Sequence, residues 1–405
     1  MQVQPFRAWY ADPALAPQVA AVPYDVVDTE EARALAAGNP WSYLHVSRPE
    51  IDLPVATDPH SDAVHRQGHD ALRRFEAEHT LLRETQPVFY LYRLRMGRHV
   101  QRGLVACFAA MDYENLVIKT HEKTRPDKED DRTRHIDLLN AHSEPVFLVY
   151  RDSAAASALL QPVERTAPLV DFTSPDGIGH TLWRITATAP IVQALADVPT
   201  AYIADGHHRA AASVRVARDR RSRNPSHTGR EPYNWFMAVL FPASEVQILP
   251  YNRVVQDLHG RTADQFLREL KARFTVRENV APPPVAPGRV CVYLAGRWHE
   301  VMLPADPTPG AITFDVTALQ DKVLQPLLGI DDPRRSQRIE FVGGIRGTGE
   351  LVKRVESGQA AVAFALYPTT VGQMMAVADQ NGILPPKSTW FEPKLRSGLF
   401  VHDLE

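Results

Sequence analysis

The stretch TAYIADGHHRAAAS, residues 200–213, decides how this chain is read. A β-prone run, Ala201-Tyr202-Ile203, ends on the acid Asp205 and turns at Gly206. It then enters an alanine-rich segment where Ala210, Val214 and Ala217 recur at i, i+4 and i+7, the spacing of one helix face. Gly206 permits a positive φ or a close backbone approach. His207, His208 and Arg209 therefore fall in a first helical turn, where free N–H groups and the helix dipole favour an anion. Asp205 stands beside that turn as a metal or proton partner. The plainer alternative is a helix start with exposed histidines and an Arg209 paired to a surface acid. Four functional side chains in five residues after a strand favour a phosphate site.

Outward from this unit, the chain alternates short strands and helices. Residues 87–113 read as a hairpin about Met96-Gly97-Arg98, and 145–151 and 180–186 as further strands. Helices are predicted over 70–84, 188–196, 207–222 and 315–328. Strands are predicted over 235–242, 246–255 and 359–367, with a hairpin across Ala295-Gly296-Arg297. Thr262 is a candidate N-cap for an amphipathic helix that opens a second domain. No regular βαβ period appears, so the expected class is α+β (mixed α/β), with domains at 1–255 and 256–405.

Composition narrows the function. A chain of 405 residues with 44% hydrophobic and 23% charged residues is an ordinary globular sequence. The net charge of −3 argues against a general nucleic-acid binder. Two distant cysteines, Cys107 and Cys291, exclude a disulfide framework and point to a reducing cytoplasm. No secretory signal is evident, and the apolar runs are too short to span a bilayer, so no membrane role is expected. Walker A, GxSxG, CxxC and HExxH motifs are all missing from the sequence.

A second charged segment, Lys119 to Arg132, follows the apolar run Leu116-Val117-Ile118 much as DGHHR follows its strand. Read alone it is a solvated helix start, with i,i+4 neighbours such as Lys128 and Arg132 on one face and acids on another. A third cluster, Lys387-Ser388-Thr389 behind Pro385-Pro386, offers an amine and two hydroxyls to an oxyanion. It reads equally as an exposed turn. Tyr24, Asp25, Asn39, Ser42 and His45 could line a polar pocket, or serve as core and turn residues. His207 and His208 are adjacent and point to different sides, which makes joint chelation of one ion awkward.

Gly206-His207-His208-Arg209 resembles the phosphate-binding signature of the ParB/sulfiredoxin superfamily. Its DGHHR form is similar to that of the superfamily's free serine kinases. His207 stands where sulfiredoxins carry their catalytic cysteine, which argues against sulfinic-acid reduction. Over nearly its whole length the chain resembles the "domain of unknown function 1015" family. The matching stretches are VAAVPYDVV (19–27), GNPWSYLHVSRPEIDLP (38–54), HEKTRPDKEDDR (121–132), ADGHHRAAA (204–212), RIEFVGG (338–344) and PPKSTWFEPKLRSGL (385–399). The resemblance implies a ParB/sulfiredoxin-like core with added N- and C-terminal α+β elements.

It also implies a phosphotransferase acting between ATP or ADP and a small amino acid, with free L-serine the leading substrate. His121-Glu122 resembles the acidic motif opposite the phosphate-binding helix in such folds, which makes Glu122 the candidate general base. Asp205 and His207 join it as catalytic candidates, and Asp205 would position Mg²⁺, which prefers oxygen ligands. Gly206, His208, Arg209, Lys123, Thr124 and Arg125 are candidates for nucleotide phosphates. Lys387, Ser388, Thr389, Tyr24, Asp25 and His45 are candidates for substrate or phosphate. The cluster at 387–389 is expected to fold back to the cleft formed by 118–132 and 204–209. A phosphoesterase, a ParB-type nucleotide-binding regulator and a homodimer remain open alternatives.

Overall fold

In the computed structural model, which describes residues 1–304 and 312–405, β-branched and aromatic runs form the centre of a nine-stranded mixed sheet. Its spatial order is Ile118–Lys119, Ala201–Asp205, Val146–Tyr150, Trp235–Pro242, His99–Ala109, Phe89–Met96, Gly179–Ile185 and Val170–Thr173. Val3–Gln4 adds a further antiparallel pairing with His99–Ala109. Two pairings are parallel: 118–119 with 201–205, and 146–150 with 235–242. Alternate residues of the central strands (Leu104, Ala106, Phe108; Val146, Leu148; Ala201, Ile203; Phe236, Ala238, Leu240) share one core, as the period of two requires. The helix His207–Arg223 sends Ala210, Val214 and Ala217 into that same core. Each is the residue the helical spacing selected.

The hairpin turns at Met96-Gly97-Arg98, with Gly97 at a φ of 58°. The fold class is mixed α/β, as the sequence suggests. Two elements differ from expectation. The helix predicted at 70–84 runs over Asp62–Ala77, and Leu81–Arg83 is a strand. Its buried stripe (Val64, His65, Gly68, Ala71, Leu72, Phe75) includes a histidine and a glycine, so its early turns read as polar. The single strand predicted at 246–255 is two, Gln247–Leu249 and Tyr251–Val255, in different sheets. Pro250 lacks the N–H that would continue one ladder.

The chain divides into two compact units: Met1–Val246 with Pro393–Glu405, and Gln247–Glu392. The boundary expected at 255/256 thus falls at 246/247, and residues 393–405 belong to the first unit. There Phe400–Asp403 forms a strand between Trp9–Ala11 and Ala141–His142, and Leu404 packs with Ile136, Ala212, Val216 and Tyr233. The place of these late residues in the first unit rests on pairing with strands far away in the chain.

The second unit is built on an all-antiparallel six-stranded sheet. Its order is Thr275–Glu278, Arg297–Met302, Arg289–Leu294, Val362–Leu366, Tyr251–Val255 and Ile339–Gly343. Thr262 caps Ala263–Arg273 with a full capping box, accepting from the Gln265 N–H while Gln265 accepts from the Thr262 N–H. No helix among the described residues is long and apolar enough to cross a membrane.

Candidate functional site

Parallel pairing brings the two charged segments together. Ile118 lies level with Ala201 and Lys119 with Tyr202, so both strands leave the sheet in the same direction. His121-Glu122 therefore emerges beside Gly206-His207. The His121 and His207 rings meet edge to face, with centroids 4.5 Å apart at 88°. One ligating atom each of His121, Glu122 and His207 lies within 4.8 Å of the others.

Gly206 caps the helix at a φ of 88°, a left-handed conformation that glycine tolerates best. A Cβ there would also stand 2.8 Å from Arg209 Nε. The reason is that Arg209 does not reach outward. It is buried and curls back beneath the turn, where Nη1 donates to the Pro145 carbonyl and Nη2 to Asp205 at 3.4 Å, with Asp25 at 3.9 Å. Burial works against this cation, yet Asp25, Asp205 and Glu144 outweigh it and hold its pKa above the ordinary value. Burial likewise opposes charge on Asp205. Lys394, 3.3 Å away, and Arg209 reverse that effect and pull its carboxyl down to about 2. Asp205 is thus an ionised partner of two cations.

The two facing imidazoles are the opposite case. Burial lowers the pKa of His121 to about 4 and drives that of His207 well below its usual range, with His121 adding to the effect. Both rings are neutral near pH 7. Neither ring nitrogen of His121 has a well-formed hydrogen bond, although the Ile203 carbonyl nearby favours the charged form. His207 Nε2 also has no hydrogen-bond partner. His208 is half-buried, and its Nε2 accepts the Arg125 backbone N–H at 3.0 Å, which pins the 121–125 segment to the helix start. That acceptor role fixes Nε2 as the unprotonated nitrogen.

Around this centre, Glu122, Lys123 and Arg125 are exposed. Thr124 donates to Glu129 at 2.8 Å, and Arg125 pairs with Asp127 at 2.7 Å. Tyr24 is buried beneath the Arg132 guanidinium, 4.2 Å from its ring centre, and its N–H donates to Glu144. Asp25 is exposed and faces Arg209. His45 is occupied locally, with Nδ1 on Asp52 at 2.8 Å and Nε2 on the Asn39 carbonyl at 3.1 Å. Lys387, Ser388 and Thr389 belong to the second unit. There Lys387 Nζ lies 5.3 Å from the Tyr251 ring centre, and Ser388 donates to the Pro385 carbonyl.

Three contributors escaped the reading of the sequence. His121 was seen only as the neighbour of Glu122. Lys394 sits in PPKSTWFEPKLRSGL, but nothing local signals that it pairs with Asp205. Glu144, buried and accepting from Ser397 at 2.7 Å and from the Tyr24 N–H at 3.2 Å, carries only the weak signal of an acid before a strand. Magnesium would ask for several oxygen ligands. The groups that converge here are two imidazoles and one carboxylate, and Asp205 is already engaged with two cations. The site therefore does not fit Mg²⁺ well.

The chain belongs to the family described as "Protein of unknown function (DUF1015)", which it matches over residues 3–328. No curated protein matches the sequence. Among solved structures it is similar to a free serine kinase in complex with AMP, at 11% identity and a TM-score of 0.37, covering 74% of this chain and 91% of that one. A conserved hypothetical protein from Pyrococcus furiosus matches at 13% identity and a TM-score of 0.35, over 74% and 97%. SbnI with a C-terminal truncation, from Staphylococcus aureus, matches at 11% and 0.37, over 72% and 85%. Scores this low leave the chemistry to be read from the site's own residues.

Proposed function

We infer that the first unit is a phosphotransferase, moving a phosphoryl group between ATP or ADP and the hydroxyl of a small amino acid. Free L-serine, giving O-phospho-L-serine, is the substrate favoured by the resemblance of DGHHR to the free serine kinases. One observation carries the reading: an exposed carboxylate, Glu122, stands beside the N-terminal turn of a long helix. The turn supplies backbone N–H groups and a positive dipole end for phosphates. Arg209, fixed beneath it, holds the Gly206 conformation and adds positive potential without leaving the interior. Lys123, exposed on the facing segment, supplies a cation for the charge on the transferring group, and Arg125 would do so by exchanging its ion pair with Asp127.

In the forward direction, the substrate hydroxyl oxygen attacks the terminal phosphorus in line. The new O–P bond forms as the bond to the leaving phosphate oxygen breaks, and the hydroxyl proton passes to Glu122. Neutral His207 can line the turn without repelling or neutralising the incoming phosphate.

The test is direct. Purified protein is incubated with ATP or ADP and a panel of hydroxy amino acids, and phosphorylated product is sought by mass spectrometry. Glu122→Gln is expected to keep nucleotide binding and to lose ~10²–10⁴ of turnover, the usual effect of removing a general base. Turnover near that of the parent protein would remove Glu122 from the mechanism. No phosphorylated product with any acceptor would overturn the transferase reading.

A further inference from the structure

We propose that His121, Glu122 and His207 bind a divalent transition-metal ion of the zinc and cobalt class. The inference stands apart from phosphoryl transfer and rests on two buried imidazoles placed beside a carboxylate. His121 and His207 are 1% and 6% exposed, yet neither ring nitrogen of the first makes a well-formed hydrogen bond, the nearby Ile203 carbonyl notwithstanding, and Nε2 of the second has no partner. Buried polar groups are costly when unpaired, and nearly all find a partner. Here one nitrogen of each ring and a Glu122 carboxylate oxygen lie within 4.8 Å of one another.

The donor set selects the ion. Two nitrogens and one oxygen suit zinc, cobalt or a neighbouring first-row ion, whereas magnesium prefers an all-oxygen shell. Three protein ligands leave at least one position open, the arrangement of catalytic rather than structural zinc. Ligands at ordinary zinc distances stand about 3.3 Å apart in a tetrahedron, so closure asks for movements of roughly 1.5 Å. Glu122 is the exposed member of the three, whereas both imidazoles are buried. The neighbouring Asp205, drawn off by Lys394 and Arg209, is not needed as a ligand.

Protein stripped with a chelator is titrated with Co²⁺, following visible d–d absorption, and with Zn²⁺ by calorimetry. One ion per chain is expected. His121→Ala and His207→Ala should each weaken binding by more than the ~10–100-fold that loss of even an outer-shell partner costs. Glu122→Gln should weaken it and shift the cobalt spectrum, while His69→Ala, at a surface histidine, leaves both unchanged. Circular dichroism checks each fold. If the alanine variants unfold, Glu122→Gln decides, because its side chain is exposed. No stoichiometric binding of either ion, or binding indifferent to Glu122→Gln and to whichever histidine variants fold, would overturn the site and leave the imidazoles as a packed aromatic pair. Phosphoryl transfer can fail while the ion binds, and the reverse, so the two readings are separable. Glu122 cannot be ligand and free base at once, so if both hold, added Zn²⁺ should slow turnover.

Discussion

The two units of this protein solve the problem of polar interiors in different ways. His259 and His299 are the second unit's only histidines, and the remaining fourteen of the chain's 16 belong to the first. The first unit buries His65, His121, His135, His142, His180, His207 and His402, whereas the second buries His299 alone. One of the first unit's imidazoles is locked in a neutral role by its hydrogen bonds. His180 accepts from Arg396 Nε at 3.3 Å, a group that can only donate, and shares a 2.8 Å hydrogen bond with the Tyr92 hydroxyl. The second unit relies on sheet packing, capping boxes and a buried acid, Asp315, which accepts from the Gly288 N–H at 2.8 Å. The lesson is that one interior buries many imidazoles that resist protonation, along with an acid, Glu144, that burial raises, and the other holds a single such imidazole and an acid that favours its proton.

Acid should expose that contrast most strongly. Burial lowers the pKa of His180 to about 3 and of His402 to about 4, and drives those of His135 and His142 well below their usual range. Below about pH 6.5 the unfolded chain takes up protons that the folded unit refuses, so stability falls as pH falls. Burial raises Asp315 instead, to about 6. Its folded form keeps a proton that the unfolded chain has lost. That contribution is complete below the ordinary value of 3.8 and disappears as pH rises through about 6. His299 opposes it, since burial lowers its pKa. Hydrogen exchange followed from about pH 7 to about pH 4.5, corrected for intrinsic rates, should show the first unit losing protection while the second stays nearly flat. Parallel losses in both units would break the comparison.

Removing a buried charge should be the next largest effect. Arg209→Ala leaves Asp205 and Glu144 without a principal counter-charge and is expected to destabilise the first unit by about 3–5 kcal/mol. Denaturant unfolding, with exchange to localise the change, would measure it. A loss below about 1 kcal/mol would mean that the network holds without its guanidinium. Gly206→Ala is smaller. The left-handed backbone costs about 1–2 kcal/mol for a residue with a Cβ, and Arg209 must also move away. Circular dichroism melts should fall accordingly, and an unchanged melt would place the turn under less constraint than its φ suggests. The smallest change belongs to the second unit: Thr262→Ala removes one capping interaction, for about 1 kcal/mol. Its effect should be confined to exchange in residues 263–273.

Much of the local structure was legible because periodicity is a local property. Ala210, Val214 and Ala217 announced a buried helix face, and Met96-Gly97-Arg98 announced its hairpin. DGHHR and HEKTR were visible as chemistry, since charged side chains after apolar strands stand out. What lay hidden depended on long-range pairing. The parallel register of 118–119 against 201–205 sets His121 on His207, and no local pattern encodes it. Arg209 looked like a phosphate donor because arginine at a helix start usually faces solvent. The carboxylates of Asp25 and Glu144, far away in sequence, turn it inward. The site's nitrogen-rich character was missed for the same reason: His207 was compared with its neighbour His208 instead of with a histidine 86 residues earlier in the chain.

The return of residues 393–405 to the first unit has a consequence for how the protein is made. Lys394 lies 189 residues after its partner Asp205, and the whole second unit is synthesised between them. During translation the first unit must wait, its strand Phe400–Asp403 absent and Asp205 lacking one of its two cations, while 146 intervening residues emerge. Loop-closure entropy rises only slowly with length, so the delay costs little at equilibrium and a great deal in exposure. A second unit that folds promptly would bring its two ends together through the pairing of Gln247–Leu249 with Trp390–Glu392. It would then deliver the closing segment as a short tether rather than a long loose chain. On this account, slow folding of the inserted unit would leave a nascent first unit vulnerable to proteases, whatever the final protein's stability.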